Sequence, residues 1–252
     1  MNLNLKNKVA LITAPTEGIG KSIAELFAKN KIRCILVSRN ENKLKSLKKK
    51  LDKNVKNNEY FVCDLKKDDE LKKFINFLKK KKCPDFLIHN IGGTLNQKEP
   101  TVGYSNWLEV LNFNVGISIK LNNELIPRMK KKNNYKIIHI SSIAALSLRG
   151  SAPYSCSKNF LNSYVTTLAR HLASRKIVVS AILPGALLEK RGHWDWVKKH
   201  KPEMISDFLR HHQAIGRFGK AAEVAPWVLF MCSEYATSFS TGTLINLDGG
   251  TM

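Results

Sequence analysis

Val9-Ala10-Leu11-Ile12-Thr13-Ala14-Pro15-Thr16-Glu17-Gly18-Ile19-Gly20 joins an apolar run of strand character to a glycine-bearing turn. Beyond it, Ile19, Ile23, Leu26 and Phe27 recur at three- and four-residue spacing and read as one face of a helix. A strand that turns through glycine into a helix brings free backbone N–H groups and a positive helix end to one point. That point suits a pyrophosphate. Gly18 and Gly20 let backbone come close to such a group, although a strand-to-helix turn with no ligand also fits these residues.

Six more apolar runs follow, alternating with amphipathic stretches. Strands are expected at 9–13, 33–37, 60–63, 86–89, 136–140, 178–183 and 244–247. They are rich in Val, Ile and Leu and nearly continuous, as strands buried on both faces are. Helical faces are read at Leu71, Phe74, Ile75 and Leu78, and at Trp107, Leu108, Leu111 and Val115. Two more run through Leu161, Tyr164, Val165 and Leu168 and through Val224, Val228, Leu229 and Cys232. The alternation predicts an α/β fold, a seven-stranded parallel sheet doubly wound with helices on both faces, over one domain of residues 1–252. Ligands in such sheets bind beyond the carboxyl ends of the strands. Residues 186–218 break the alternation. They are polar and rich in Trp, His and Lys, and are expected to form a substrate-covering lid or an oligomer contact.

The 252 residues carry 42 Lys and Arg against 20 Asp and Glu, a net charge of +22. Such a balance can signal nucleic acid or an anionic membrane. Here the lysine runs at 48–50, 79–82 and 130–132 sit beside or at the ends of expected helices, where lysine is favourable, and few arginines or aromatics interleave them. Solvated helix faces are the reading adopted, with no nucleic-acid or membrane partner. The first apolar run is too short for a signal-peptide core or a membrane span, which predicts a cytoplasmic protein. Five scattered cysteines without a CxxC pair suggest no disulfide framework, and seven histidines without ligand spacing suggest no metal.

Two stretches carry chemistry. The second expected strand runs into Ser38-Arg39, where folds that prefer NAD place an acidic residue against the ribose 2′-hydroxyl. A guanidinium there binds a 2′-phosphate instead, which predicts NADP(H) over NAD(H); Lys21 adds to the field. In Tyr154-Ser155-Cys156-Ser157-Lys158 the Tyr and Lys lie one helical turn apart on one face. A nearby ammonium is expected to lower the phenol's pKa, so that the phenol exchanges a proton with an alcohol or carbonyl oxygen. Ile140-Ser141-Ser142 ends the fifth strand, 12 residues before Tyr154, and one of its hydroxyls can meet the phenol.

In this order, these pieces resemble the short-chain dehydrogenase/reductase family over essentially the whole chain, which implies a single Rossmann-type domain. Thr13, Thr16, Gly18, Ile19 and Gly20 match the family's TGxxxGxG turn, with Ala14 where the first glycine stands. The resemblance implies that Asp64 holds the adenine and that the segment around Asn90 and Gly92 packs beside the cofactor. Pro184-Gly185 then lies under the nicotinamide, and Lys158 bonds its ribose. The implied catalytic set is Asn114, which holds a water through a local helix distortion, with Ser142, Tyr154 and Lys158. Counting back from Tyr154 would select Ser141 instead. Homodimers or homotetramers are implied, joined through the helices around 107–129 and 154–172.

The expected reaction is therefore the interconversion of an alcohol and a ketone on a small-molecule substrate. Trp194, Trp196, Lys190, Arg191 and His193 in the lid suit a sugar-type or anionic one. A 3-oxoacyl-thioester reductase of the same family and a dinucleotide-binding protein without catalysis are the alternatives.

Overall fold

Seven apolar runs fold into seven strands, because only a sheet covered on both sides buries side chains that point both ways. A computed structural model of the chain describes residues 3–130, 134–190 and 192–251, so Lys131, Lys132 and Arg191 lie outside the described residues. The strands are β1 (Val9–Thr13), β2 (Arg33–Ser38), β3 (Glu59–Val62), β4 (Phe86–His89), β5 (Lys136–Ile140), β6 (Val178–Pro184) and β7 (Leu244–Leu247). Every pairing is parallel, in the order β3-β2-β1-β4-β5-β6-β7. The expected runs agree with these bounds to within one residue.

The helices are α1 (Gly18–Lys29), α2 (Glu41–Leu51), α3 (Asp68–Lys79), α4 (Tyr104–Leu111), α5 (Ile117–Leu125), α6 (Ala144–Ser147), α7 (Ala152–Leu172), α8 (His193–His200), α9 (Glu203–His211), α10 (Ala221–Met231) and α11 (Glu234–Thr237). Ala10 and Ile12 of β1 join a core with Ile23 and Phe27 of α1, Leu44 and Leu47 of α2, and Val224 and Val228 of α10. Leu11, on the opposite face of the same strand, joins Phe74 of α3, Leu121 of α5 and Val165 of α7. The sheet is thus doubly wound. Among the described residues no helix is long and apolar enough to cross a membrane.

One expected face differs. Leu108 is 46% exposed, and α4 buries only Val110. A π-turn at Asn112–Gly116 separates α4 from α5. It carries one residue more than a regular turn, so the apolar spacing before it does not continue in phase after it.

Candidate active site

The chain order reverses between β1 and β4, and the crevice at their carboxyl ends is stitched together by two side chains. Thr13 Oγ1 accepts from the backbone N–H of Asn90 at 2.9 Å and of Ile91 at 3.1 Å. Asn90 Nδ2 in turn donates to the carbonyls of Thr13 and Ala14 at 3.2 and 3.0 Å. Gly20 packs into this knot: a Cβ there would lie 2.5 Å from Asn90 Nδ2 and 2.6 Å from the Ala14 carbonyl. Ala14 itself has φ +49°. Gly18 also has φ +49°, with open space where a side chain would stand. No side chain caps the N-terminus of α1, whereas Asn40 and Ser151 cap α2 and α7. Free N–H groups beneath an open glycine fit a pyrophosphate.

At the next strand ends, Ser38 Oγ lies 3.4 Å from Thr16 Oγ1, and Arg39 is exposed. Glu41, the nearest acid in sequence, is drawn to Lys45 at 2.8 Å, and Glu17 to Lys43 at 2.6 Å. Asp64, half-buried after β3, accepts from the backbone N–H of Lys66 at 3.1 Å.

β5 and the first turns of α7 bring the reacting groups together. Ser141 is buried and donates to Asn162 Oδ1 at 2.7 Å, whereas Ser142 is half-buried and hydrogen-bonds the Tyr154 hydroxyl. The pleat therefore turns Ser142, not Ser141, toward the phenol. Lys158 is 2% exposed; its Nζ donates to the Ile140 carbonyl at 2.8 Å and stands 5.6 Å from the centre of the Tyr154 ring. Asn114, at the middle of the π-turn, accepts from the Gly93 N–H at 3.0 Å and donates to the Gly93 and Val110 carbonyls at 2.9 Å each. A Cβ on Gly92 would sit 2.6 Å from Asn114 Oδ1 and 3.0 Å from Lys158 Nζ, so the exposed Gly92 backbone roofs both groups.

The electrostatics differ from the sequence expectation. Burial pushes the Tyr154 phenol up, and the Ser142 hydrogen bond opposes that only in part. Burial also brings the Lys158 ammonium down to about 7. A lysine that itself loses charge to desolvation is a weak acidifier of its neighbour, so the chain alone holds the phenol protonated.

Pro184-Gly185 closes the far side. The Ile143 N–H donates to the Pro184 carbonyl at 3.0 Å, and the Gly185 N–H to that of Leu247 at 2.9 Å. A Cβ on Gly185 would meet Asp248 Cα at 2.6 Å. α8 and α9 stand outside the sheet. There Trp194 packs on Phe208 and Phe218, with ring centres 4.2 and 4.8 Å apart, and Trp196 lies along His200 at 4.7 Å. Arg149, just before α7, reaches His212 Nδ1 at 2.8 Å and ties the end of α9 to the serine loop. Sequence reasoning did not identify this bridge, because nothing local pairs residues so far apart. Glu189 points elsewhere and caps the Ala221 N–H of α10 at 2.6 Å. Among the described residues no His, Cys, Asp and Glu gather as metal ligands.

Comparison with known proteins adds the lineage. A family model described as enoyl-(acyl carrier protein) reductase matches residues 13–252. The chain is 31% identical to human dehydrogenase/reductase SDR family member 4 over 98% of its length and 88% of the relative's. It is 29% identical to the 3-oxoacyl-(acyl-carrier-protein) reductase FabG of Thermotoga maritima, over 98% of this chain and 99% of the other. In structure it is similar to L-sorbose reductase of Gluconobacter frateurii complexed with NADPH and L-sorbose. The TM-score is 0.88 at 26% identity, over 100% of this chain and 98% of that one.

Proposed function

The chain belongs to the short-chain dehydrogenase/reductase family, oxidoreductases that act on CH–OH and keto groups with NAD(P), and on that premise we propose that it is an NADP(H)-dependent ketone reductase. The observation that carries the reading is Ser142 turned toward the Tyr154 hydroxyl with Lys158 buried beside it, at the carboxyl ends of the strands. Thr13, Thr16, Gly18, Ile19 and Gly20 would hold the cofactor's pyrophosphate, and Ser38 and Arg39 a 2′-phosphate. Asp64 would take the adenine, with Asn90, Gly92, Pro184 and Gly185 beside the nicotinamide end. Arg39 makes no ion pair among the described residues, which favours the phosphorylated cofactor.

The cofactor, when bound, supplies the hydride. Ser142 and Tyr154 then present hydroxyls to the substrate's carbonyl oxygen, and Tyr154 gives up its proton as that oxygen gains charge. A phenol held protonated by burial suits this direction. Lys158 would hold the cofactor's ribose and resupply the proton, and Asn114 would hold a water on the way to solvent. The substrate is sugar-type or anionic. Supporting this, Lys98, Arg149 and His212 stand near the mouth without carboxylate partners among the described residues, and Lys98 lies near enough to His193 to lower its pKa. The aromatic wall of Trp194, Phe208 and Phe218 suits a second reading, reduction of a 3-oxoacyl thioester. The chain works in the cytoplasm as a homodimer or homotetramer. Tyr104 and Leu108 on α4 and Phe160 on α7, at 77%, 46% and 49% exposed, are the contacts it would bury.

The test follows reduced-nicotinamide absorbance over keto-sugars, ketose phosphates, 3-oxoacyl thioesters and small ketones with both cofactors. NADPH-dependent turnover is expected. Tyr154→Phe should lower kcat by about 10²–10⁴-fold while cofactor binding stays within a few fold. A preference for NADH defeats the role given to Arg39. Cofactor binding without turnover on any carbonyl leaves the non-catalytic reading, and full activity in Tyr154→Phe removes the acid/base assignment.

A further inference from the structure

Directly behind Lys158 the apolar sheet is interrupted. His89 closes β4 and His139 sits in β5, paired in register, their rings stacked with centres 4.6 Å apart. Both are buried, at 2% and 0% exposure. His89 Nε2 meets Asn122 Oδ1 at 2.8 Å, and Asn122 Nδ2 donates to the Tyr164 hydroxyl at 3.0 Å. Since Asn122 offers its oxygen, His89 carries its proton on Nε2 and its Nδ1 is an acceptor. That Nδ1, both ring nitrogens of His139 and the amide nitrogen of Asn162 have no hydrogen-bond partner among the described residues. Asn162 lies one helical turn from Lys158 and accepts from Ser141. His139 immediately precedes Ile140, whose carbonyl receives the lysine.

Buried polar atoms left without a protein partner are rare, and where several converge an ordered water satisfies them. A water needs two to four polar neighbours, and these side chains supply donors and acceptors on two sides. Lys158 Nζ has three donors, of which the Ile140 carbonyl takes one. We propose that His89 and His139 hold an internal water site behind Lys158, and that through this water they are positioning residues for the amine. The inference rests on the place of Lys158 in the proposed reaction. The water accepts from the lysine and donates to an imidazole, so the ammonium is held on its buried side as well as on its reactive side. The titratable groups facing His139 are His89 on β4 and Lys158 and Tyr164 on α7, while α5 contributes the neutral Asn122. Both imidazoles stay neutral there: burial lowers their pKa values, and the neighbouring lysine lowers that of His139 further.

The full chain is tested in two ways. In a high-resolution crystal structure or by water-selective NMR, the wild type should show a long-lived water within hydrogen-bond reach of the His139 ring. His139→Phe keeps the ring's shape but offers no nitrogen. It should lose the water, lower kcat about tenfold and move the lysine limb of the kcat–pH profile to lower pH by about one unit, the worth of one hydrogen bond to a charged group. His139→Asn, which keeps a polar partner, should recover most of both. A dry pocket in the wild type overturns the proposal. So does a His139→Phe enzyme with an unchanged pH profile, whatever its melting temperature. If His139→Phe does not fold, His139→Asn and the wild-type water still decide. The water readout needs no turnover, so a hydrated pocket in a chain with no oxidoreductase activity would refute the reductase reading and the positioning role with it, while the water site would stand.

Discussion

Ala14 has a backbone shape that its side chain disfavours. At φ +49° it stands where the turn before α1 needs the left-handed region, and it is held there by its own N–H to the Val37 carbonyl and by Asn90 on its carbonyl. An L-residue gives up about 1–2 kcal/mol in that region, and glycine regains it less the extra freedom of its unfolded chain. Ala14→Gly should therefore stabilise the protein by about 0.5–1 kcal/mol in urea unfolding, without weakening cofactor binding. A loss of stability would mean that the methyl group packs usefully. The family resemblance implied a glycine at this position, but the strain is visible only in the backbone. The two adjacent serines behave alike. Their spacing to Tyr154 left Ser141 and Ser142 both open, and the choice came from a contact, Asn162 taking Ser141. In the chain alone Tyr154 shifts up rather than down, since spacing shows proximity to a lysine but not how dry the pair is.

At the scale of elements, the strands were the most legible part, because the five inner ones are buried on both faces and leave a nearly unbroken apolar signature, while the edge strands β3 and β7 are only partly covered. The π-turn left none in the apolar spacing, and only the family resemblance, through Asn114, implied a helix distortion there. Its extra residue is imposed by Asn114 gripping Gly93 on another loop, a contact between residues 21 apart in sequence. The segment 186–218 was legible as a polar break, but its wiring was not. Trp194, read as a face for a sugar, uses that face on Phe208 and Phe218. Phe208→Ala should accordingly loosen the lid rather than the chemistry. KM for the carbonyl substrate should rise on the order of tenfold, with kcat and cofactor affinity nearly unchanged. Unchanged KM would place α8 and α9 away from the substrate.

Over the whole molecule, acid should act in two separable windows. The buried imidazole of His89 is lowered from the ordinary 6.5 to about 4, and His139 well below its ordinary value, chiefly by burial. The unfolded chain takes up those protons first, so stability falls as pH drops from about 6.5 toward 4. The carboxylates held low by lysine or arginine, Asp68 and Glu223 among them, are exposed, and their contribution is lost only below about 4.5. Replacing both histidines by asparagine should flatten the upper window, sparing about 2–3 kcal/mol between pH 6.5 and 4, and leave the lower one in place. Equal slopes in variant and wild type would show that the pair is hydrated enough to titrate normally.

β7 and the residues just after it do more than complete the sheet. The Leu247 carbonyl receives the Gly185 N–H, Asp248 presses against Gly185, and the Gly249 and Gly250 carbonyls anchor Ile215 and Ala214, just after α9. During synthesis the ribosome makes all of these props after every group they support. A nascent polypeptide therefore possesses its serine, tyrosine and lysine well before it possesses the floor beneath them. The far side of the crevice is thus the last part to be made, long after the turn at 13–20 that opens it.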